Sequence, residues 1–270
     1  MTTLEWDAPS ERVIEQGVDR GVLYTKGNHG VVWNGLVSVT ENPVHKVEPV
    51  WMDGVRVNDI VIQNGFKGAI RAYTYPEELE KCVGVREDDS GLNFLHQSFE
   101  MFDMSYRTGV ATDTDGGSEH YKIHLLYGLT AVPAPIQNRT LTDGWNPLLL
   151  QWSVTSVPQR VDNYLPTGHI VLDSRKVDPL LLSDLEDILY GDGTSPPYLP
   201  PAQILQSIIR NWERMVITDN LDGTWTATEK NDGQYITWLS ADEFEITSDS
   251  IFGEDADSYY IRSTDKNLEE

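Results

Sequence analysis

Residues 121–127 read Tyr-Lys-Ile-His-Leu-Leu-Tyr, and their alternation commits this part of the chain to an extended backbone. Tyr121, Ile123, Leu125 and Tyr127 fall on one side, Lys122 and His124 on the other, because successive side chains of a strand point to opposite faces. A half-buried strand is expected there. The same period places Leu148, Leu150, Trp152 and Val154 against Gln151, Ser153 and Thr155, and Val37 and Val39 against Ser38 and Thr40. Further strands are expected at 21–24, 31–33, 66–73, 103–108 and 168–173. A chain patterned this way is mainly β.

Helical signals are few and local. In DPLLLSDLEDILYG, Asp178 is placed to cap, Pro179 suits the first turn, Leu181, Leu185, Ile188 and Leu189 form one apolar stripe, and Gly191 supplies the stop. Two shorter helices are expected over Pro76 to Cys82 and Pro201 to Trp212, the second after the stiff SPPYLPP hinge. Beyond Trp212 the pattern changes to short strands and turns. Asp222-Gly223 and Asp232-Gly233 mark turns, Thr224 to Thr228 a strand, and Phe244, Ile246 and Tyr259 to Ile261 further strands. Residues 211–270 also hold fifteen acidic against four basic residues, far denser in negative charge than the rest. The expected division is therefore a main domain, 1–210, and a small all-β domain, 211–270.

The chain has 270 residues, eight Trp, twelve Tyr and a net charge of −23. So many aromatics place that charge on a folded surface, since disordered acidic chains are poor in them. The charge argues against gripping nucleic acid, which needs Lys and Arg to displace counterions from phosphate. A single cysteine, Cys82, next to Val83, excludes an intramolecular disulfide and a cysteine zinc site and is expected as a buried thiol. The start lacks a basic region followed by an apolar run, and no run of about eighteen apolar residues occurs. Folding in the cytosol without membrane insertion is the expectation.

Catalytic signatures are missing. His120 and His124 are four apart, which suits a metal on a helix, but they lie in a strand pattern that separates them by about 13 Å. DTDGGSE, 113–119, has two acids spaced as in a calcium loop without the later ligands, and reads as a hairpin tip. GNHG, 27–30, lacks the spacing of a dinucleotide fingerprint and reads as a turn. No GxSxG, P-loop or HExxH is present, so no catalytic residue, metal ligand or cofactor is predicted.

An ordered set of motifs goes further: GVDRGVLY (17–24), GVVWNGLVSVTENP (30–43), AYTYPEELEKC (72–82), SYRTGVATDTDG (105–116), YKIHLLYGLTAVP (121–133) and LDSRKVDPLLLSDLEDILYG (172–191). Together these resemble the major tail protein, or tail tube protein, of bacteriophages with long non-contractile tails. The resemblance implies a tail-tube-type β-sandwich or barrel with a flanking α-helix, six copies per ring, and rings stacked into a tube that passes double-stranded DNA without specific binding. It also implies the tape measure, tail terminator and distal tail proteins as partners, the virion tail as location after assembly in the host cytoplasm, and no enzymatic step.

Strand edges that endanger a monomer are useful to such a subunit, because unpaired edges template pairing with another chain. Trp33, Pro43, His45, Trp51 and Met52 are the candidate inter-subunit or inter-ring contacts. All but Trp33 lie in a long loop, Glu41 to Asp59, that departs from the pattern of such relatives. The final domain resembles, more loosely, modules appended to tail proteins. Its Trp225, Tyr235 and Trp238 suit either stacking on sugar rings or a small core, which keeps a tail-associated carbohydrate-binding adhesin as the alternative.

Overall fold

The computed structural model describes residues 12–26, 29–42, 45–63, 65–88, 91–112, 120–138, 140, 147–219, 225–229 and 235–238. Eight strands form one antiparallel sheet: β1 (Val13–Thr25), β2 (Val31–Trp33), β3 (Leu36–Glu41), β6 (Lys67–Ala72), β9 (Phe102–Thr112), β10 (His120–Pro133), β11 (Leu150–Ser156) and β12 (His169–Asp173). The path runs β2-β1-β9-β10-β11-β6-β3. Its two ends are neighbours in sequence, joined by Asn34-Gly35. The sheet therefore curls back on itself, and among the described residues no ladder joins β2 to β3, so a mixed fold of β-sheet and helices is present without closure into a barrel.

β10 is the hub. Its first half pairs with β12, Lys122 to Leu126, and its second half with β11, Leu129 to Pro133, while β9 runs along the other edge. Gly128, at φ 59°, sits in the irregularity that separates the halves. Its N–H donates to Asp103 Oδ1 at 2.6 Å, its carbonyl accepts from Val157 N–H at 2.8 Å, and an added Cβ would stand 2.8 Å from the Val157 carbonyl. Gly128→Ala is expected to cost about 1–3 kcal/mol from backbone strain alone, read as a lower urea midpoint at unchanged slope.

Both faces of the sheet are covered. One core lies inside the curl, built from Leu23, Trp33, Phe66, Ile70, Met104, Leu126, Leu129 and Trp152. It is closed by Leu79 and Cys82 of the single-turn helix α1 (Leu79–Cys82). The second core lies outside it, where Val22, Tyr24, Ile123, Leu125 and Tyr127 meet α2 (Pro179–Tyr190) and α3 (Ala202–Arg214). Leu125 and Leu126 thus serve different cores. The expected half-buried β10 is buried on both sides.

α2 forms where its local signals put it. Asp178 accepts from the N–H groups of Leu180 and Leu181 at 2.9 and 3.4 Å, Pro179 opens the helix, and Gly191 ends it at φ 85°. Leu181, Leu182, Leu185 and Leu189 are its buried face. Tyr24 fastens the helix to β1 by donating its hydroxyl to the Leu189 carbonyl at 2.7 Å. α3 begins one residue after Pro201, as expected, with Ala202 and Leu205 in the same core.

The expected loop over 41–59 is corrected. Residues 45–63 form a hairpin, β4 (His45–Met52) with β5 (Val55–Gln63), that pairs with no other strand among the described residues. Its turn signal is Asp53-Gly54, both at positive φ, as a two-residue type I′ turn requires. A short ribbon, β7 (Arg86–Glu87) with β8 (Asn93–Phe94), precedes β9. The C-terminal strands are β13 (Met215–Asp219), β14 (Trp225–Glu229) and β15 (Tyr235–Trp238), in that order in one antiparallel sheet. The strands expected around Phe244, Ile246 and 259–261, and the tip at 113–119, lie outside the described residues.

Candidate functional site

The β4–β5 hairpin is the part of the molecule least accounted for by its own fold. Eight strand residues carry it about 27 Å, and a two-stranded ribbon with no third strand is marginal in water unless something covers it. Its tip is apolar. Trp51, Met52, Val55 and Val57 are 61, 61, 62 and 52% exposed. Behind them Arg56 grips Asp59 through Nε and Nη2 at 2.7 and 2.6 Å, a two-pronged pair that stiffens β5. Four large apolar side chains thus stand in solvent at one end of the hairpin, Trp51 opposite Arg56 and Met52 opposite Val55 in the ladder.

The sequence-derived contact residues divide here. Trp51 and Met52 occupy the tip. His45 opens β4, opposite Gln63, and Pro43 lies outside the described residues. Trp33 lies elsewhere: it is 2% exposed, its ring meets Trp152 edge-on at 5.6 Å, and its Nε1–H donates to the Thr74 carbonyl at 2.9 Å. That places its side chain in the core. Asn34-Gly35 is likewise structural, since Thr74 Oγ1 donates to the Asn34 carbonyl and Tyr73 N–H to that of Gly35. In the C-terminal sheet Trp225 and Trp238 are register partners, and Tyr235 pairs with Thr228.

A polar cluster that sequence reasoning missed lies where β1, β3, β10 and β12 converge. His124 Nδ1 is 3.1 Å from His169 Nε2, and the two rings are stacked 5.3 Å apart. At one end His124 Nε2 faces Thr108 Oγ1 at 3.0 Å and Glu15 Oε1 at 3.3 Å, with Lys122 on the other Glu15 oxygen. At the far end His169 Nδ1 faces Glu41 Oε2 at 3.5 Å. Tyr106 stacks on His124 and Phe66 meets His169 edge-on.

The protons can be assigned by counting donors. Thr108 donates its hydroxyl to Glu15 at 2.7 Å, so it is His124 Nε2 that carries a proton toward that pair. His124 Nδ1 then accepts from His169 Nε2–H, and His169 Nδ1 presents a lone pair to Glu41. Two neutral rings thus leave one junction short of a proton. Burial and the neighbouring His169 push the His124 pKa down to about 4, against the upward pull of Glu15. Burial also lowers His169, against Glu41. The Glu15 carboxyl is held below its usual range: burial opposes this, and hydrogen bonds from Lys122 and Thr108 outweigh it.

Because the folded pKa of His124 lies below its ordinary 6.5, the unfolded chain binds more protons between those values. Its stability contribution is whole above pH 6.5 and is lost as pH falls toward 4, by at most about 3 kcal/mol. Urea midpoints should therefore drop from pH 7 to pH 4.5, and His124→Gln should flatten that drop.

Cys82 is fully buried as expected, its thiol pushed up to about 11 by burial. Among the described residues no group of three His, Cys, Asp or Glu is placed to hold a metal ion. None of their helices is long and apolar enough to cross a membrane.

No family model and no curated protein sequence matches the chain. Among solved structures, the extended sheath–tube complex of an extracellular contractile injection system, PVC, aligns with a TM-score of 0.30 at 12% identity, over 57% of this chain and 88% of that one. The extended sheath/tube terminator of such a system gives 0.27 at 12% identity, over 63% and 99%.

Proposed function

We propose that this chain is a structural subunit that polymerises through its own surfaces into a hollow tube, the tail tube of a phage with a long non-contractile tail. The observation that carries this reading is the β4–β5 hairpin, a ribbon that pairs with no other strand among the described residues and is tipped with Trp51, Met52, Val55 and Val57. Such a ribbon gains its third strand or its cover from another copy. The ordered motifs over 17–191 support a tail subunit in particular. The −23 charge suits a wall that a polyanion passes without sticking.

In this reading the partners are ring neighbours, stacked rings, and the tape measure, terminator and distal tail proteins. The subunit joins the virion tail in the host cytoplasm and catalyses nothing. Negative-stain microscopy of the purified chain at high concentration tests it: rings or tubes are expected, and discrete monomeric particles would overturn it. The second reading, a glycan-binding adhesin, is favoured by the Trp225–Trp238 register pair. Binding of the full chain on an array of host-envelope glycans, without polymers on the grid, would select it.

A further inference from the structure

The hairpin is not the only ordered apolar surface in solvent. Every residue of 91–101 is exposed, and Leu92, Phe94, Leu95, Phe99 and Met101 are each about half exposed, at 48–59%. Loose loops do not hold such residues still. This one is pinned by a single guanidinium. Arg86 Nη1 donates to the carbonyls of Lys81 and Val85 at 2.8 and 3.0 Å, and Nη2 to the Ser98 carbonyl and Glu100 Oε1 at 3.0 and 2.7 Å. Gln97 N–H adds a bond to the Gly84 carbonyl at 2.9 Å, and β7 pairs with β8 at the base. The result is a preorganised arm that carries Leu92, Phe94, Leu95, Phe99 and Met101 in solvent, with Glu87 and Asp88 on β7 and just beyond it, opposite Asn93 and Leu92.

Elsewhere on the chain is a groove of the opposite character. The loop after β11 and helix α3 enclose about 780 Å³ lined by Val161, Leu165, Ile170, Leu205 and Ile209, with Tyr164 at its mouth. That volume falls in the range of pockets that take a small ligand or a few large side chains. Arg160 and Arg210 stand at its rim, and neither has an ion-pair partner among the described residues. Asp162, also at the rim, is approached by the Gln203 amide at 3.4 Å. In a chain with 43 acids and 20 bases, two such arginines make a local positive edge.

We propose that the acidic, apolar arm of one copy seats in the arginine-rimmed groove of the next. The contact joins two different surfaces, and head-to-tail contacts of that kind generate rings when they close and filaments when they do not. This inference rests on the self-assembly reading and names the contact that would drive it. Apolar side chains supply the affinity. Glu87 and Asp88 against Arg160 and Arg210 supply the register and offset the repulsion between two acidic subunits.

The test uses full-length chains carrying one new thiol each, Leu95→Cys on the arm or Tyr164→Cys at the groove mouth, mixed, polymerised and treated with a short bismaleimide. Native Cys82 is buried and stays silent. A crosslinked heterodimer in the mixture, with none from either variant alone, is the expected result. Polymers that form without that crosslink, or a crosslink between two Leu95→Cys chains, would overturn the arm-in-groove contact while leaving self-assembly standing. A chain that never polymerises would remove both. Arg86→Gln, melting like the parent, should raise the critical concentration about tenfold or more, roughly 1.4 kcal/mol per contact; an unchanged critical concentration would count against the arm.

Discussion

Replacing Trp51 and Met52 together by aspartate is expected to abolish polymerisation while leaving the subunit folded. Both side chains are 61% exposed at the hairpin tip, so the melting curve should move by no more than about 0.5 kcal/mol. Assembly is another matter. Buried tryptophan anchors commonly carry 2 kcal/mol or more of a contact, which is about thirtyfold in affinity for each one lost. Polymer growth needs every contact in the ring. Two new carboxylates also add like charge to an interface between acidic subunits, a cost that salt screens beyond about 8 Å but not at contact distance. Sedimentation should show only unassembled chain, and tubes of normal yield from the double variant would remove the hairpin from the contact.

Trp33→Ala is expected to destabilise the fold by about 3–5 kcal/mol, the range for truncating a buried aromatic. The ring is 2% exposed and packs edge-on against Trp152, which in turn meets Tyr75 in the same geometry at 5.7 Å. Its loss opens a cavity where β2 turns into β3, beside the Asn34-Gly35 turn that brings the two ends of the sheet together. Trp33→Phe keeps most of the packing and loses the Nε1–H bond to the Thr74 carbonyl, so about 1 kcal/mol is expected. The two variants together separate a packing role from a contact role. If Trp33→Ala melts like the parent but fails to assemble, the indole belongs to an interface after all.

The elements that sequence reasoning located are those whose causes are local. α2 is specified within fourteen residues by a capping Asp, an N-terminal Pro, a leucine stripe and a terminal Gly, and it forms there. The strands β2, β9, β10 and β12 follow from alternation, which depends only on neighbours two residues away. The buried Cys82 follows from its apolar surroundings. The β4–β5 hairpin carried an Asp-Gly turn signal too, yet 41–59 was expected as a loop; an edge ribbon tolerates Pro49.

What sequence alone determined was this menu of elements, together with the acidic surface and the shortage of catalytic chemistry. Only the tertiary structure decided which faces are inside. His124 alternates onto the polar side of β10, yet it is buried, because the sheet curls over one face while helices cover the other, and His169 arrives from a strand forty-five residues away. The same long-range arrangement took Trp33 into the core and left Leu92, Phe94 and Leu95 outside it. Periodicity reports which residues share a face, but whether that face meets water depends on what folds against it from distant parts of the chain.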